Sequence, residues 1–294
     1  MTFIGYIIDN KLGSIEYNKD FKDLTTIGIK GSIKWLYYPN KLDSLSLAFK
    51  YIISNNIKYF IIGNGSNTLP VNSYFDGVVI SLIKMEKELN IFEDYIEVSS
   101  NYNTIGLAYD LAKLQLGDLS FLGGIPGQIG GAIYNNSGSY GDNIANNMIS
   151  VKYLDTLGNI QEIKNSMCAF SYRHSIFHHI DGIIISAKFH IKNIKTDELL
   201  EERKKKRIET QPTGEKSMGS IFKNNPLIES YKVIDMLNMR GFNINDAYVS
   251  LKHSNFIINK GNSSGRDILN LIELIQKRAL LEFGINLQYE ITLV

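Results

Sequence analysis

The stretch "FLGGIPGQIGGAIYNNSGSYG", Phe121 to Gly141, sets seven glycines among twenty-one residues, with one proline and no charged side chain. So much glycine argues against a packed helix or strand, because glycine loses the most backbone freedom on ordering. A loose linker is also a poor reading. Phe121, Leu122, Ile125, Ile129, Ala132 and Ile133 are interleaved and should be anchored in a core. The expectation is a fixed frame whose backbone N–H groups converge on an anion, with phosphate the usual one. "GNGSN", Gly63 to Asn67, follows the apolar run "KYFIIG" and offers a second such turn. Neither segment is G-x-G-x-x-G or a Walker loop. Taken alone, each serves as well for a structural turn as for a phosphate. Together they favour a ligand with a pyrophosphate.

The rest of the chain bounds the class. Its 294 residues can bury a substantial core, and 44% of them are hydrophobic. Lys and Arg number 31 and Asp and Glu 30, so net charge favours neither nucleic acid nor an acidic membrane as partner. The single cysteine, Cys168, cannot form an internal disulfide and fits a reducing compartment. The opening residues meet Asp9 early and lack a basic leader, so no signal peptide is expected. No run has the length of a membrane span, and the protein is expected to be cytoplasmic. The five histidines include the adjacent His178 and His179, without acidic or cysteine partners at metal spacing, so no metal is expected.

Apolar spacing predicts helices over Leu42–Asn56, Thr104–Leu116 and Arg266–Phe283, the last stopped by Gly284. "KYFIIG", "GVVISL", "DYIEVSS", "NMISVKYLD", "NIQEI", "GIIISAKFHI", "AYVS", "NFIIN" and the closing "LQYEITLV" read as strands, with "LDTLGN" a hairpin turn. The helix before "KYFIIG" and the two strands flanking "GNGSN" read as a small β-α-β unit. Thr196–Gln211 is a helix with acids first and bases last, ended by Pro212. "PLIESYKVIDMLNMRG" is a helix with Pro226 near its start and Gly241 near its end. The fold class is α+β.

The glycine run resembles the second flavin-binding signature of the UDP-N-acetylenolpyruvoylglucosamine reductases, and "IIGNGSNTLP" their first. "FSYRHSIF", "GSIFKNNP", "VSLKHSNFIINKGNSSGRDI" and "FGINLQYEI" are similar to four further family segments, in the family's order. The resemblance runs from about Leu24 to the end, and to the compact subclass without the extra substrate-covering loop. It implies a two-part FAD-binding domain of the PCMH or vanillyl-alcohol-oxidase type, over 1–78 and 79–200, then an α+β UDP-sugar domain over 201–294. It also implies non-covalent FAD, NADPH as co-substrate, and reduction of UDP-N-acetylglucosamine enolpyruvate to UDP-N-acetylmuramate in peptidoglycan precursor synthesis. Partners are these small molecules, with no nucleic acid or membrane, and the chain is expected to act as a monomer.

Residue by residue, the resemblance carries the cofactor role onto Gly63, Asn64, Gly65, Ser66, Asn67, Gly123, Gly124, Ile125, Pro126, Gly127, Gly130, Gly131, Asn135 and Gly138. Tyr172 supports its neighbour, contacts flavin or simply packs. Arg173 matches the catalytic arginine, suited to grip a carboxylate with two donors as charge develops. Glu290 matches a carboxylate acting with it, and Ser220 the proton donor to C2 of the substrate. A serine hydroxyl is a weak acid, so that role demands close, fixed geometry. Arg207, Gln211, Lys223 and Asn224 are candidate UDP-sugar contacts, although Lys223 equally suits a solvated cation.

Three segments depart from the family pattern. "TTIGIKGS", Thr25 to Ser32, lacks the usual arginine and has a broken glycine pair, with Lys30 the nearest charge. Asn64 stands where a glycine is expected, in a turn that asparagine can enter because it tolerates left-handed angles. The family's small residue is also replaced in "NNSGSYG". The alternatives are another FAD oxidoreductase of this fold, or a non-catalytic nucleotide-binding relative. The absence of His and Cys from Phe60 to Pro70 counts against a covalent flavin.

Overall fold

The structure is a computed structural model and describes residues 2–294. In chain order it opens with α1 (Phe3–Asp9), β1 (Gly13–Asp20), β2 (Ser32–Pro39), α2 (Leu42–Ser54), β3 (Tyr59–Ile62), β4 (Thr68–Leu69) and β5 (Tyr74–Ser81). Next come β6 (Leu89–Ile91), β7 (Tyr95–Ser99), α3 (Thr104–Lys113), α4 (Ile129–Tyr134), β8 (Gly138–Ser139), β9 (Asp142–Asn143) and α5 (Ile144–Asn147). β10 (Met148–Leu154), β11 (Ile160–Lys164), β12 (Ile183–His190), α6 (Asp197–Thr210) and α7 (Ser230–Met236) follow. The chain closes with β13 (Asn243–Ile244), β14 (Ala247–Val249), β15 (Ile257–Asn259), α8 (Gly265–Phe283) and β16 (Thr292–Leu293). The residues group into two compact units. The first holds Met1–Tyr17, Trp35–Gly63 and Gly77–Lys205; the second holds Asn18–Lys34, Asn64–Asp76 and Lys206–Val294.

The first unit has two cores. In one, α2 presents Leu45, Ala48, Phe49 and Ile52, a stripe at helical spacing, to Phe3 and Ile7 of α1, Tyr37 of β2 and Val78 and Ile80 of β5. Burying each large side chain of such a stripe contributes about 2 kcal/mol. The strand order around it is β1-β2-β5-β3, with β3 and β5 parallel. The chain crosses from β3 to β5 through residues 63–73 with no helix between them, because α2 precedes β3. The β-α-β reading is corrected accordingly.

The other core lies under the antiparallel sheet β11-β10-β12-β7-β6. Strand alternation decides its faces. Ile96, Val98, Val151, Ala187 and Phe189 join Leu107 and Leu111 of α3 and Ile129 and Ile133 of α4 in the core. On strands β7, β10 and β12 the intervening Glu97, Lys152 and Ser186 meet one another: Lys152 Nζ lies 2.7 Å, and Ser186 Oγ 3.0 Å, from Glu97 Oε1. The expected turn at "LDTLGN" closes the β10–β11 hairpin, where Asp155 Oδ1 accepts from the amides of Leu157 and Asn159.

In the second unit α8 packs Ile268, Leu271, Ile272 and Ile275 against Val233 and Ile234 of α7, the β13-β14-β15 sheet, and Ile27 and Ile29. A reciprocal capping box of Ser264 and Asp267 starts α8, and Gly284 at φ +67° ends it. Two expectations fail here. The helix expected from Pro226 begins at Ser230, where Asn224 Oδ1 accepts the Ser230 amide, and ends at Met236 ahead of Asn238 at φ +54°. The closing strand is broken. Tyr289 makes an isolated bridge to Phe222, and only Thr292–Leu293 pairs, in parallel with Thr68–Leu69.

Candidate active site

In the first unit the glycine run is largely ordered structure. Gly130 and Gly131 lie inside α4, against the expectation that so glycine-rich a stretch avoids a packed element. The helix survives because Ile129, Ala132 and Ile133 are buried and its first two amides are held: Ile129 N donates to Tyr102 O (3.0 Å) and Gly130 N to Ser100 O (2.8 Å). Those two amides therefore serve the fold. Gly123 also has a packing reason, since a Cβ there would come within 2.4 Å of Leu200 Cδ2 on α6. Gly131 differs: a Cβ there would meet no protein atom within 4 Å. Gly141, at φ +82°, is open in the same way, and these two positions are where the run has room for a ligand.

Arg173 sits on a tight turn. Ser171 and His174 exchange both backbone hydrogen bonds at 3.2 Å, so Tyr172 and Arg173 form its tip. Arg173 has φ +55° at the third turn position, which normally takes glycine or asparagine. Holding a side-chain-bearing residue there costs about 1–2 kcal/mol. Its Nη2 donates to Gly138 O (3.1 Å), and its guanidinium lies 4.9 Å from the Tyr172 ring centre. The turn is tied to the glycine run at two further points. Asn136 Nδ2 donates to Ser171 O (2.9 Å), and Ser175 Oγ to Tyr134 O (2.7 Å). On the other side His174 and His179 share a hydrogen bond between their Nε2 atoms (2.9 Å). Asn135 caps α4, its amide donating to Gly131 O. A cavity of about 460 Å³ in this unit is lined by Asn101, Glu97, Lys152 and Ser186 and contains none of the expected site residues.

The second unit brings together three of the expected segments. Asn67 Nδ2 donates to Glu290 O (2.9 Å), and Thr292 N donates to Asn67 O (2.9 Å). Glu290 N donates to Ile221 O (2.8 Å), the residue after Ser220. Ser220 and Glu290 are both half-buried. Thr26 joins the same assembly, its amide donating to Gly65 O (3.2 Å) and its hydroxyl to Ser217 O (2.6 Å). The divergent Thr25–Ser32 segment is thus structural, with Ile27 and Ile29 in the core and Lys30 exposed. The left-handed angle of "GNGSN" falls on Gly65 at φ +58°, so Asn64 does not have to adopt one. Lys223 and Asn224 are engaged in part by the fold: Lys223 N donates to Gln288 O, and Asn224 Oδ1 accepts from Ser230 N at the start of α7. Arg207 and Gln211 follow one another at the end of α6, where Gln211 N donates to Arg207 O (2.9 Å).

The sequence reading singled out neither Asn136, Thr26 nor Asn255. Asn255 is 3% exposed, and its side chain bonds both the N–H and the C=O of Phe222. Nothing in the order of residues marks such long-range partners. Among the described residues no group of three or more His, Cys, Asp or Glu side chains could hold a metal ion. No helix among them is long and apolar enough to cross a membrane.

The comparisons with known proteins agree with this architecture. Residues 33–164 match an FAD-binding domain model, and residues 211–294 match the C-terminal domain of UDP-N-acetylenolpyruvoylglucosamine reductase. Proteins named UDP-N-acetylenolpyruvoylglucosamine reductase are similar over nearly the whole chain. The one from Orientia tsutsugamushi strain Ikeda is 36% identical, covering 95% of this chain and 94% of its own. The one from Clostridium tetani is 35% identical, covering 99% and 96%. The crystal structure of UDP-N-acetylenolpyruvylglucosamine reductase from Thermus caldophilus superposes with a TM-score of 0.79 at 26% identity, over 96% of this chain and 98% of that one. Fold and comparisons define an FAD-binding oxidoreductase, α+β, with a distinct C-terminal domain. Within that class, the chain belongs to the UDP-N-acetylenolpyruvoylglucosamine reductase family.

Proposed function

We propose that the protein reduces UDP-N-acetylglucosamine enolpyruvate to UDP-N-acetylmuramate with NADPH, as a cytoplasmic step of peptidoglycan precursor synthesis. Family membership supports the reaction class. The observation that best supports the reading is the bond from Glu290 N to Ile221 O (2.8 Å), which joins the backbone of Glu290 to the residue after Ser220.

FAD, when bound, supplies the carrier that moves a hydride between NADPH and the vinyl carbon of the substrate. The open space at Gly131 in the first unit supports such a group, and the two glycine signatures, Asn135, Gly138 and Tyr172 are the residues proposed to hold it. The Arg173 guanidinium meets the negative charge that builds toward the substrate carboxylate. Ser220 delivers the proton to C2. Glu290 acts with Arg173 to polarise the developing enolate, or acts as an acid. Arg207, Gln211, Lys223 and Asn224 are proposed to bind the UDP-sugar, with the cations facing diphosphate.

The test is anaerobic absorption of the FAD-loaded protein. NADPH is added until the flavin band bleaches, excess reductant is removed, and the enolpyruvyl substrate follows. Prompt return of the oxidised band is expected. Bleaching without return would reject the substrate, and failure to hold FAD would favour a non-catalytic relative. In Arg173→Ala and Glu290→Ala, flavin should stay bound and bleach while its return is suppressed.

A further inference from the structure

We infer that Asn255 is a positioning residue for proton delivery, acting through the segment that carries Ser220. The inference rests on the function proposed above. Asn255 makes three hydrogen bonds to two consecutive residues. Its Oδ1 accepts from Phe222 N (2.9 Å), its Nδ2 donates to Phe222 O (2.8 Å), and its own carbonyl accepts from Ile221 N (2.9 Å). The side chain reads one residue's donor and acceptor together and is itself buried. Asparagine suits this double contact, since aspartate cannot donate, leucine can neither donate nor accept, and glutamine is a methylene too long.

Ser220 needs such a clamp because of what precedes it. Gly219 holds φ +80°, and the nearest neighbour of a Cβ there would be Ser66 O, 3.9 Å away. The chain therefore enters Ser220 through a left-handed glycine that no neighbour packs against closely, and leaves it locked at Ile221 and Phe222. The Ile221 carbonyl in turn accepts from Glu290 N, whose carbonyl is held by Asn67. Asn255 thus sets the backbone frame shared by Ser220 and Glu290, from 33 residues along the chain. A weak acid such as a serine hydroxyl depends on this geometry, where a misplacement of about 1 Å can lower a rate roughly a hundredfold.

The experiment compares Asn255→Leu, Asn255→Asp, Ser220→Ala and the double variant Asn255→Leu/Ser220→Ala as FAD-loaded full-length proteins. Four quantities are read: melting midpoint, calorimetric affinity for UDP-N-acetylglucosamine enolpyruvate, the rate of flavin bleaching by NADPH, and the rate of reoxidation by substrate. The single Asn255 variants should keep bleaching within about twofold of wild type and lose reoxidation about tenfold or more. The double variant should be no slower than Ser220→Ala alone, since the two residues then act through one step. Asn255→Asp keeps the bond to the Phe222 amide and preserves the comparison if the leucine variant does not fold. Multiplying losses in the double variant, equal falls in both half-reactions, or unchanged reoxidation would each overturn the inference. A wild-type protein that is not reoxidised by the substrate would instead overturn the functional reading, and this inference with it.

Discussion

Asn136 Nδ2 donates to the carbonyl oxygen of Ser171 at 2.9 Å, while its Oδ1 accepts from the amide of Ala145 at 3.0 Å. One buried amide therefore fastens the turn bearing Arg173 to the glycine run. Asn136→Asp keeps the acceptor for Ala145 and loses the donor for Ser171. It should lower stability by about 1–3 kcal/mol, because a buried carboxylate oxygen then faces the Ser171 carbonyl, which keeps only its bond from His174 N. It should also slow reoxidation of the reduced protein by the enolpyruvyl substrate more than it slows bleaching by NADPH. Denaturant titration and the two half-reactions check both parts; equal slowing of both would detach Asn136 from Arg173.

Gly65 and Gly131 should answer differently to the same methyl group. At Gly65, φ is +58° and a Cβ would lie 2.1 Å from Leu24 O, so Gly65→Ala should destabilise the fold by several kcal/mol, on the order of the most disruptive single substitutions. At Gly131 no protein atom is in the way, and alanine inside α4 should stabilise the FAD-free protein by up to about 1 kcal/mol. Its FAD affinity should nevertheless fall, if flavin uses that space. Melting of the FAD-free protein and flavin titration separate the two effects.

Cys168 is fully buried, and burial pushes its thiol up to about 11. Only thiolate attacks a disulfide reagent. In the folded protein at pH 8 Cys168 should react with an aromatic disulfide reagent far more slowly than after denaturation. Fast stoichiometric labelling of the native protein would contradict its placement.

Burial, helped by the positive Arg240, lowers the pKa of His253; its backbone hydrogen bond and Asp235 oppose this without reversing it. The folded state therefore favours neutral His253. Stability from this group is fully present above the unfolded histidine value, about 6.5, and is lost as pH falls from there through the lower folded value. Urea midpoints should decline over that range, and His253→Gln should decline less steeply. A parallel decline in both proteins would assign the effect elsewhere.

The sequence disclosed those parts of the fold that repeat a local signal. α2, α3 and α8 carry apolar stripes at helical spacing, and Asn103 and Ser264 cap two of them. α1 leaves no clear pattern because seven residues barely make two turns, and β1 because its burial does not alternate cleanly. α7 and the closing strand run shorter than their sequence pattern suggests, because Asn224 holds the Ser230 amide six residues on and Tyr289 bridges to the distant Phe222. The site followed the same division. Glycine signatures, Arg173, Ser220 and Glu290 could be named from motif order. Asn67, Asn136 and Asn255 act through carbonyls and amides 223, 35 and 33 residues away, and an asparagine gives no sign of whom it will hold.

The left-handed backbone at Arg173 has a consequence for anyone engineering this protein. Glycine or asparagine would relax that turn, so a screen that rewards heat resistance alone should favour either one at position 173. Each such winner would surrender the guanidinium. Hardier variants that have gone silent are the expected harvest of that screen, and selection for turnover must accompany it from the first round.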